Sequence, residues 1–350
     1  MAQAHIAGCI LGTALGDSIG LPYEGLSKRR SVKLFGTPDR HRLLFRRGMI
    51  SDDTEHTCMV AQSLISSGCD PDAFCRSLGW RFRFWLATVP AGIGMATLRS
   101  IIRLWLGFSP YRSGVFSAGN GPAMRSAIIG AAIDDRKLMA ELVRVSSRVT
   151  HTDPKAEFGA FAVALAARMS RLHCKVTSKQ FVSELESELA GNGAELMSLI
   201  ADAAASVDNG QSTPSFAESL GLADGVSGYV YHSVPVAIHA WLTHQNDFRS
   251  AIISIVECGG DADSTGAIVG GIIGAGVGDD GLPPDWLASL IEWPCSVSYM
   301  RRLASQLGDS IDSNTRACPI KLPVWGLLPR NAFFLIVVLC HGFRRLFPPY

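Results

Sequence analysis

Apolar residues along this chain recur at helical spacing, and the alternation expected of half-buried strands is scarce. Residues 4–20 carry Gly8, Gly12, Gly16 and Gly20 at every fourth position, a stripe that lets two helices approach closely. Asp17 and Pro22 end that run, which predicts a packed helix of a soluble domain rather than a membrane span. Residues 53–67 read as a second helix with Met59, Val60, Leu64 and Ile65 turned inward and Ser51 or Asp52 as its N-cap. Further helices are expected over 72–85, rich in aromatic residues, then 123–132, 134–147, 155–171, and the pair 178–190 and 193–207. Two apolar helices, 234–243 and 248–257, lead to a glycine- and alanine-rich one at 263–276. No stretch pairs convincingly as strands, so the pattern predicts an all-α domain with long functional loops. Residues 11–22 and 271–283 share glycine spacing and end alike in Gly-Asp and then Pro. Two helices that each need a close neighbour would produce this without duplication.

Composition narrows the class. Of 350 residues 47% are hydrophobic and 18% charged, a balance that favours a large buried core over disorder. The formal net charge of +1 supplies no global field toward nucleic acid or a lipid surface. One basic run, Arg40-His41-Arg42 through Arg46-Arg47, reads either as a contact for a phosphate-bearing ligand or as a solvated loop. Nine cysteines are scattered without metal-ligand spacing, which suggests reduced thiols, and no secretory leader opens the chain, so a cytoplasmic protein is expected. Cys9, Cys58 and Cys258 read as small core residues. The longest strong apolar run, 332–340, is too short to span a bilayer, and no membrane partner is expected. Residues 316–350, broken by Pro319, Pro323 and Pro329, read as an extension docked on a main domain of residues 1–315.

The candidate chemistry lies in two acidic clusters about 200 residues apart, Ser51-Asp52-Asp53-Thr54 and Asp261-Ala262-Asp263-Ser264-Thr265. Each holds two carboxylates beside hydroxyls at the start of an apolar helix. Taken singly, each looks like an N-cap with acids that complement the helix dipole. Their repetition points elsewhere: a core does not bury four carboxylates without a positive neutraliser, and oxygen ligands of this kind suit magnesium or manganese. The loop Ser117-Ala118-Gly119-Asn120-Gly121 exposes backbone N–H groups to an anion, although it is not a P-loop and an ordinary helix-entry turn would look the same. Glu24, His151 and Tyr229 stand near these motifs. Each alone would pass as a solvated, structural or packing residue.

Together these residues resemble a known family, the ADP-ribosylglycohydrolases. The match runs in order through Gly8-x-x-x-Gly12-x-x-x-Gly16-Asp17-x-x-Gly20-x-x-x-Glu24, Ser51-Asp52-Asp53-Thr54-Glu55, Gly119-Asn120-Gly121-x-x-Met124-Arg125, Thr150-His151, Gly228-Tyr229-Val230 and Gly259-Gly260-Asp261-x-Asp263-Ser264-x-Gly266. The tail beyond Arg316 is outside the pattern. The resemblance implies a single compact orthogonal all-α domain and hydrolytic release of ADP-ribose from an ADP-ribosylated protein or small molecule at a centre of two Mg2+ (or Mn2+) ions. It implies Ser51, Asp52, Asp53, Asp261, Asp263 and Ser264 as metal ligands, and Ser117, Gly119, Asn120, Gly121, His151 and Tyr229 as contacts to ADP-ribose. Glu24, Asp53 and Asp261 carry the catalytic role in this reading. Serine at both hydroxyl positions leans toward protein arginine as acceptor. Serine-linked, poly- and O-acetyl-ADP-ribose, or an inactive binding relative, stay open. A metal-dependent phosphohydrolase would instead release phosphate and call for histidine-rich motifs, which are absent. A monomer is favoured and a nucleic-acid partner is not expected.

Overall fold

The computed structural model of the chain describes residues 2–189 and 191–348. Ala190, the expected end of the helix from Ser178, lies outside these, as do Met1 at the head of the main domain and the last two residues of the tail. At the centre two helices, Ala2–Gly20 and Ala262–Val277, cross antiparallel along their glycine stripes. A Cβ at Gly8 would lie 2.2 Å from the carbonyl oxygen of Gly274, one at Gly12 2.2 Å from that of Gly270, and one at Gly16 1.9 Å from that of Gly266. The facing glycines are as intolerant, with a Cβ at Gly270 lying 2.1 Å from the Gly12 oxygen. Only glycine permits this backbone-to-backbone approach. Both helices are buried almost throughout, which suits sequences apolar on every face.

Around this pair pack the helices Ala127–Ala132, Pro154–Leu172, Val230–Thr243, Phe248–Val256 and Val297–Asp312. The helix Asp52–Ser67 starts at Ser51, whose Oγ accepts from the Asp53 N–H, and ends at left-handed Gly68. Among the described residues there is no extended ladder, only isolated bridges between loops. The all-α expectation thus holds, with local corrections. The helix expected over 123–132 splits into Gly121–Met124 and Ala127–Ala132, because the chain turns at Arg125 to bury its guanidinium. Helices Lys28–Phe35, Met95–Trp105, Thr213–Ser219, Pro284–Ser289 and Val297–Asp312 were not anticipated. The basic run is no free loop: His41 is buried between Ser18 and Ser289, at 2.9 and 2.8 Å, and Arg40 and Arg42 pair with Asp39.

The tail departs most from expectation. Val324–Arg344 is one continuous helix of 21 residues that passes through Pro329, long and apolar enough by length and composition to cross a membrane. The apolar run looked shorter because Arg330 and Asn331 interrupt it in sequence. In space both turn onto the body with Phe334 and Val337, leaving an apolar face exposed at Trp325, Ile336, Leu339 and Phe343.

Replacing Gly16 by Ala should therefore destabilise the protein by roughly 1–3 kcal/mol or more through overpacking. Gly342, in the tail helix, has nothing within 4 Å of a Cβ, and Gly342→Ala should be neutral or stabilise by up to about 1 kcal/mol. Urea denaturation of the two variants checks the contrast, and equal losses would argue against the packing described.

Candidate functional site

The close crossing sets the end of the first helix against the start of the other. Gly20 abuts Ala262, where a Cβ would lie 2.2 Å from the Ala262 oxygen. One turn earlier Asp17, wholly buried, aims Oδ2 at the first acidic motif. It accepts from the Ser51 N–H at 2.9 Å, the Thr54 N–H at 3.3 Å and the Thr54 hydroxyl at 2.5 Å. Asp53 Oδ2 accepts from the hydroxyls of Ser51 at 3.0 Å and Ser264 at 3.4 Å. The two motifs, remote in sequence, therefore touch.

Loops close the second motif. Gly259 and Gly260 both adopt positive φ, and a Cβ at Gly260 would lie 2.1 Å from the Val226 oxygen. This conformation lets Gly260 pair on one side with Gly25 and Leu26, beside Glu24, and lets Asp261 N–H donate to the Val226 carbonyl at 2.7 Å. Asp261 Oδ2 accepts from Asn120 Nδ2 at 2.7 Å, and Asn120 N–H donates to the Gly228 carbonyl at 2.9 Å. The glycine loop is thus stitched to the second acidic motif. Its glycines make room for His151, whose ring would lie 3.1 and 3.0 Å from a Cβ at Gly119 and Gly121.

These segments enclose a cleft of about 680 Å³. Glu24, Asp52, Asp261, Asp263, Ser264, Ser117, Gly119, Asn120, Gly121 and His151 all line it. Ser51 and Asp53 are buried next to them. Tyr229 contributes backbone pairing to Gly119, while its ring turns to Tyr231, His232 and Lys155 and does not line the cleft. Two organising residues appear in the sequence motifs but receive no role there, Asp17 and Arg125. Asp17 stands in the sequence as the end of an apolar run and as a motif position without an assigned role. Arg125, fully buried, donates to the Gly121 carbonyl at 3.0 Å, the Ser146 carbonyl at 2.8 Å and the Thr150 hydroxyl at 2.7 Å, tying the glycine loop to the His151 segment. The signal for both was a lone charge in an otherwise apolar stretch. The basic run is absent from the lining.

The family model of the ADP-ribosylglycohydrolases matches residues 2–317. The chain belongs to the ADP-ribosylglycohydrolase family. It is 28% identical to the ADP-ribosyl-[dinitrogen reductase] glycohydrolase of Rhodospirillum rubrum, over 81% of this chain and 89% of that protein. It is equally 28% identical to the ADP-ribosylarginine hydrolase Tri1 of Pseudomonas putida, over 86% and 77% of the two chains. A solved ADP-ribosylglycohydrolase-related protein complex superposes with a TM-score of 0.69 and 25% identity, covering 89% of this chain and 99% of its own. The chain is accordingly an enzyme that hydrolyses ADP-ribose from ADP-ribosylated acceptors.

Glycohydrolases of this family are generally metal-dependent, and the site's electrostatics suit a divalent cation. Burial, then the charges of neighbouring acids, pushes Asp52, Asp53 and Asp263 well above the usual carboxylate range. Asp53 Oδ1 and Asp17 Oδ1 are buried with no hydrogen-bond partner, an arrangement that costs free energy unless a cation or proton satisfies it. Arg125 is the buried cation on the loop side, its own pKa pushed down to about 9 by burial against the opposing pull of Asp52. Among the described residues no three acids, histidines or cysteines gather around one point as a metal cluster. Desolvation in the cleft and the Asp261 charge raise Glu24, while Arg345 opposes them. Burial, then Arg125, pushes His151 down to about 3, which keeps its ring neutral.

Asp17 gives a pH prediction. Burial raises its carboxyl from 3.8 to about 7, against the pull of Thr54 and Ser51. The folded state then holds the proton more tightly than the unfolded chain, so this contribution is full below pH 3.8 and lost as pH rises toward 7. Buried neutral histidines such as His151 and His41 slope the other way, so the difference between wild type and Asp17→Asn isolates the effect. In chelator, wild type should lose Tm relative to Asp17→Asn across that window. A widening advantage for wild type would contradict the assignment.

Proposed function

We propose that this enzyme removes ADP-ribose from protein arginine with the help of two magnesium or manganese ions. The observation that carries the reading is the meeting of the Ser51–Asp53 and Asp261–Ser264 segments on one cleft, beside Glu24 and the glycine loop. Asp52, Asp53, Asp261 and Asp263, with the hydroxyls of Ser51 and Ser264, would hold the ions. Divalent cations supply charge neutralisation and Lewis-acid polarisation in such a setting. The cleft is within the size range of small-molecule sites and suits a ligand as large as ADP-ribose.

The chain's own groups divide the remaining work. Ser117 and the glycine loop face the cleft where a diphosphate would need donors, and Arg125 fixes that loop from behind. The neutral ring of His151 offers one nitrogen to the ligand, since Nδ1 is 2.9 Å from the Thr150 hydroxyl. Cleavage at the anomeric carbon builds oxocarbenium character on the ribose, as in glycoside hydrolysis generally. Glu24 at the rim can stabilise that charge or take a proton. The fixed diphosphate would hold the ribose at near-attack distance. Serine at both positions 51 and 264 supports arginine as the acceptor, and so does similarity to a relative named as an ADP-ribosylarginine hydrolase. Retention of every acid in the two motifs speaks against an inactive binding relative.

Incubation with arginine-linked and serine-linked ADP-ribosyl substrates, with magnesium or chelator, tests the proposal. Free ADP-ribose should appear from the arginine-linked substrate and vanish in chelator. Asp261→Asn and Asp53→Asn should each lower turnover by more than about 100-fold, beyond the loss typical of groups that only orient ligands. Turnover that survives chelation and both substitutions would refute the metal role, and preference for the serine linkage would refute the acceptor.

A further inference from the structure

The tail helix Val324–Arg344 lies beyond residue 317, where the family match stops, yet two of the tail's arginines bond the segments that carry Asp52 and Glu24 into the cleft. Arg330 is buried. It donates from Nε and Nη2 to Glu292 at 2.8 and 2.9 Å, from Nη2 to the Ile50 carbonyl at 2.5 Å, and from Nη1 to Glu55 at 3.2 Å. Glu292 in turn accepts from the Ile50 N–H at 3.1 Å. Ile50 and Glu55 bracket Ser51, Asp52 and Asp53, so Arg330, forked on Glu292, holds the first acidic motif on both sides through single bonds to Ile50 and Glu55. Just past the helix end, Arg345 donates to the carbonyls of Glu24 at 2.7 Å and Pro22 at 3.0 Å, and its own carbonyl accepts from Arg30 at 2.8 Å.

We infer that the tail helix is a positioning element of the active site, with Arg330 setting the first acidic motif and Arg345 setting the Glu24 loop. Neither residue lines the cleft. The physical logic is that of an outer shell, which fixes the orientation of ligating groups and whose loss typically weakens metal affinity by about 10- to 100-fold. The metal-dependent part of this inference rests on the function proposed above, whereas the claim about the two segments does not.

The test uses the full-length protein and two readouts, hydrogen exchange of the metal-free chain and Mn2+ affinity by calorimetry. Arg330→Lys keeps the charge but cannot make the fork. Arg330→Met combined with Glu292→Met removes both members of the fork, so that Glu292 is not left buried and unpaired if the single change unfolds, while Glu55 keeps its bond from Trp85 Nε1 at 2.6 Å. In either folded variant, amides of residues 50–55 should lose protection while those of 261–265 keep it, and Mn2+ should bind about tenfold or more weakly. Arg345→Ala should instead loosen residues 22–26 and alter kcat or KM at the Glu24 side while Mn2+ affinity stays near wild type. Wild-type exchange in both segments, with wild-type Mn2+ affinity, would overturn the inference and leave the tail as packing alone. If wild type itself binds no Mn2+ and releases no ADP-ribose, the functional reading fails, and the exchange data still decide the role of the tail.

Discussion

The contact on which the site depends is glycine backbone against glycine backbone, where Ala2–Gly20 crosses Ala262–Val277. Because no side chain separates the two axes, the end of one helix and the start of the other are held at a fixed offset. The second acidic motif sits on the start of the latter helix. The former carries Asp17, which grips the backbone of the first acidic motif, and runs on into the Glu24 loop. A small-residue stripe that carries no chemistry itself thus brings together chemistry from positions about 200 residues apart. Dispersion between tightly apposed backbones and burial of the flanking aliphatic residues stabilise the crossing.

The acids gathered this way are costly to keep. Their carboxyls sit in a medium that disfavours charge, and the pKa values rise in response. Helix starts at both motifs add partial positive charge, which helps the acids and works against a cation, so the carboxylates must outweigh the dipoles to bind metal. Arg125 and Arg330 stand on opposite flanks, one fixing the glycine loop and one fixing the first motif. Their donors are taken by protein carbonyls, hydroxyls and carboxylates, and it is through these bonds that they hold the segments around the site.

Much of this was legible in sequence because it followed local rules. The glycine spacing announced helices that need close neighbours, and Ser51 announced a cap. The order of the motifs announced the family. What stayed hidden was decided by partners far along the chain. Arg330 and Asn331 broke an apolar run on paper, yet they are the residues that dock the tail helix, with Asn331 donating to the Thr88 carbonyl at 2.7 Å. The helix over 123–132 broke because Arg125 is drawn inward by Ser146 and Thr150, a tertiary demand that no local propensity records. Tyr229 packs its ring on Tyr231, His232 and Lys155, partners that its sequence neighbours do not announce, while its backbone pairs with the glycine loop.

We propose that the two acidic motifs close around shared divalent cations. Anomalous diffraction from crystals of the full-length protein grown with Mn2+ measures this directly. Anomalous peaks are expected between the 51–53 and 261–264 segments, with oxygens of both motifs at ligand distance. Peaks elsewhere, or none at saturating Mn2+ with those acids bonded only to one another and to protein donors, would contradict it.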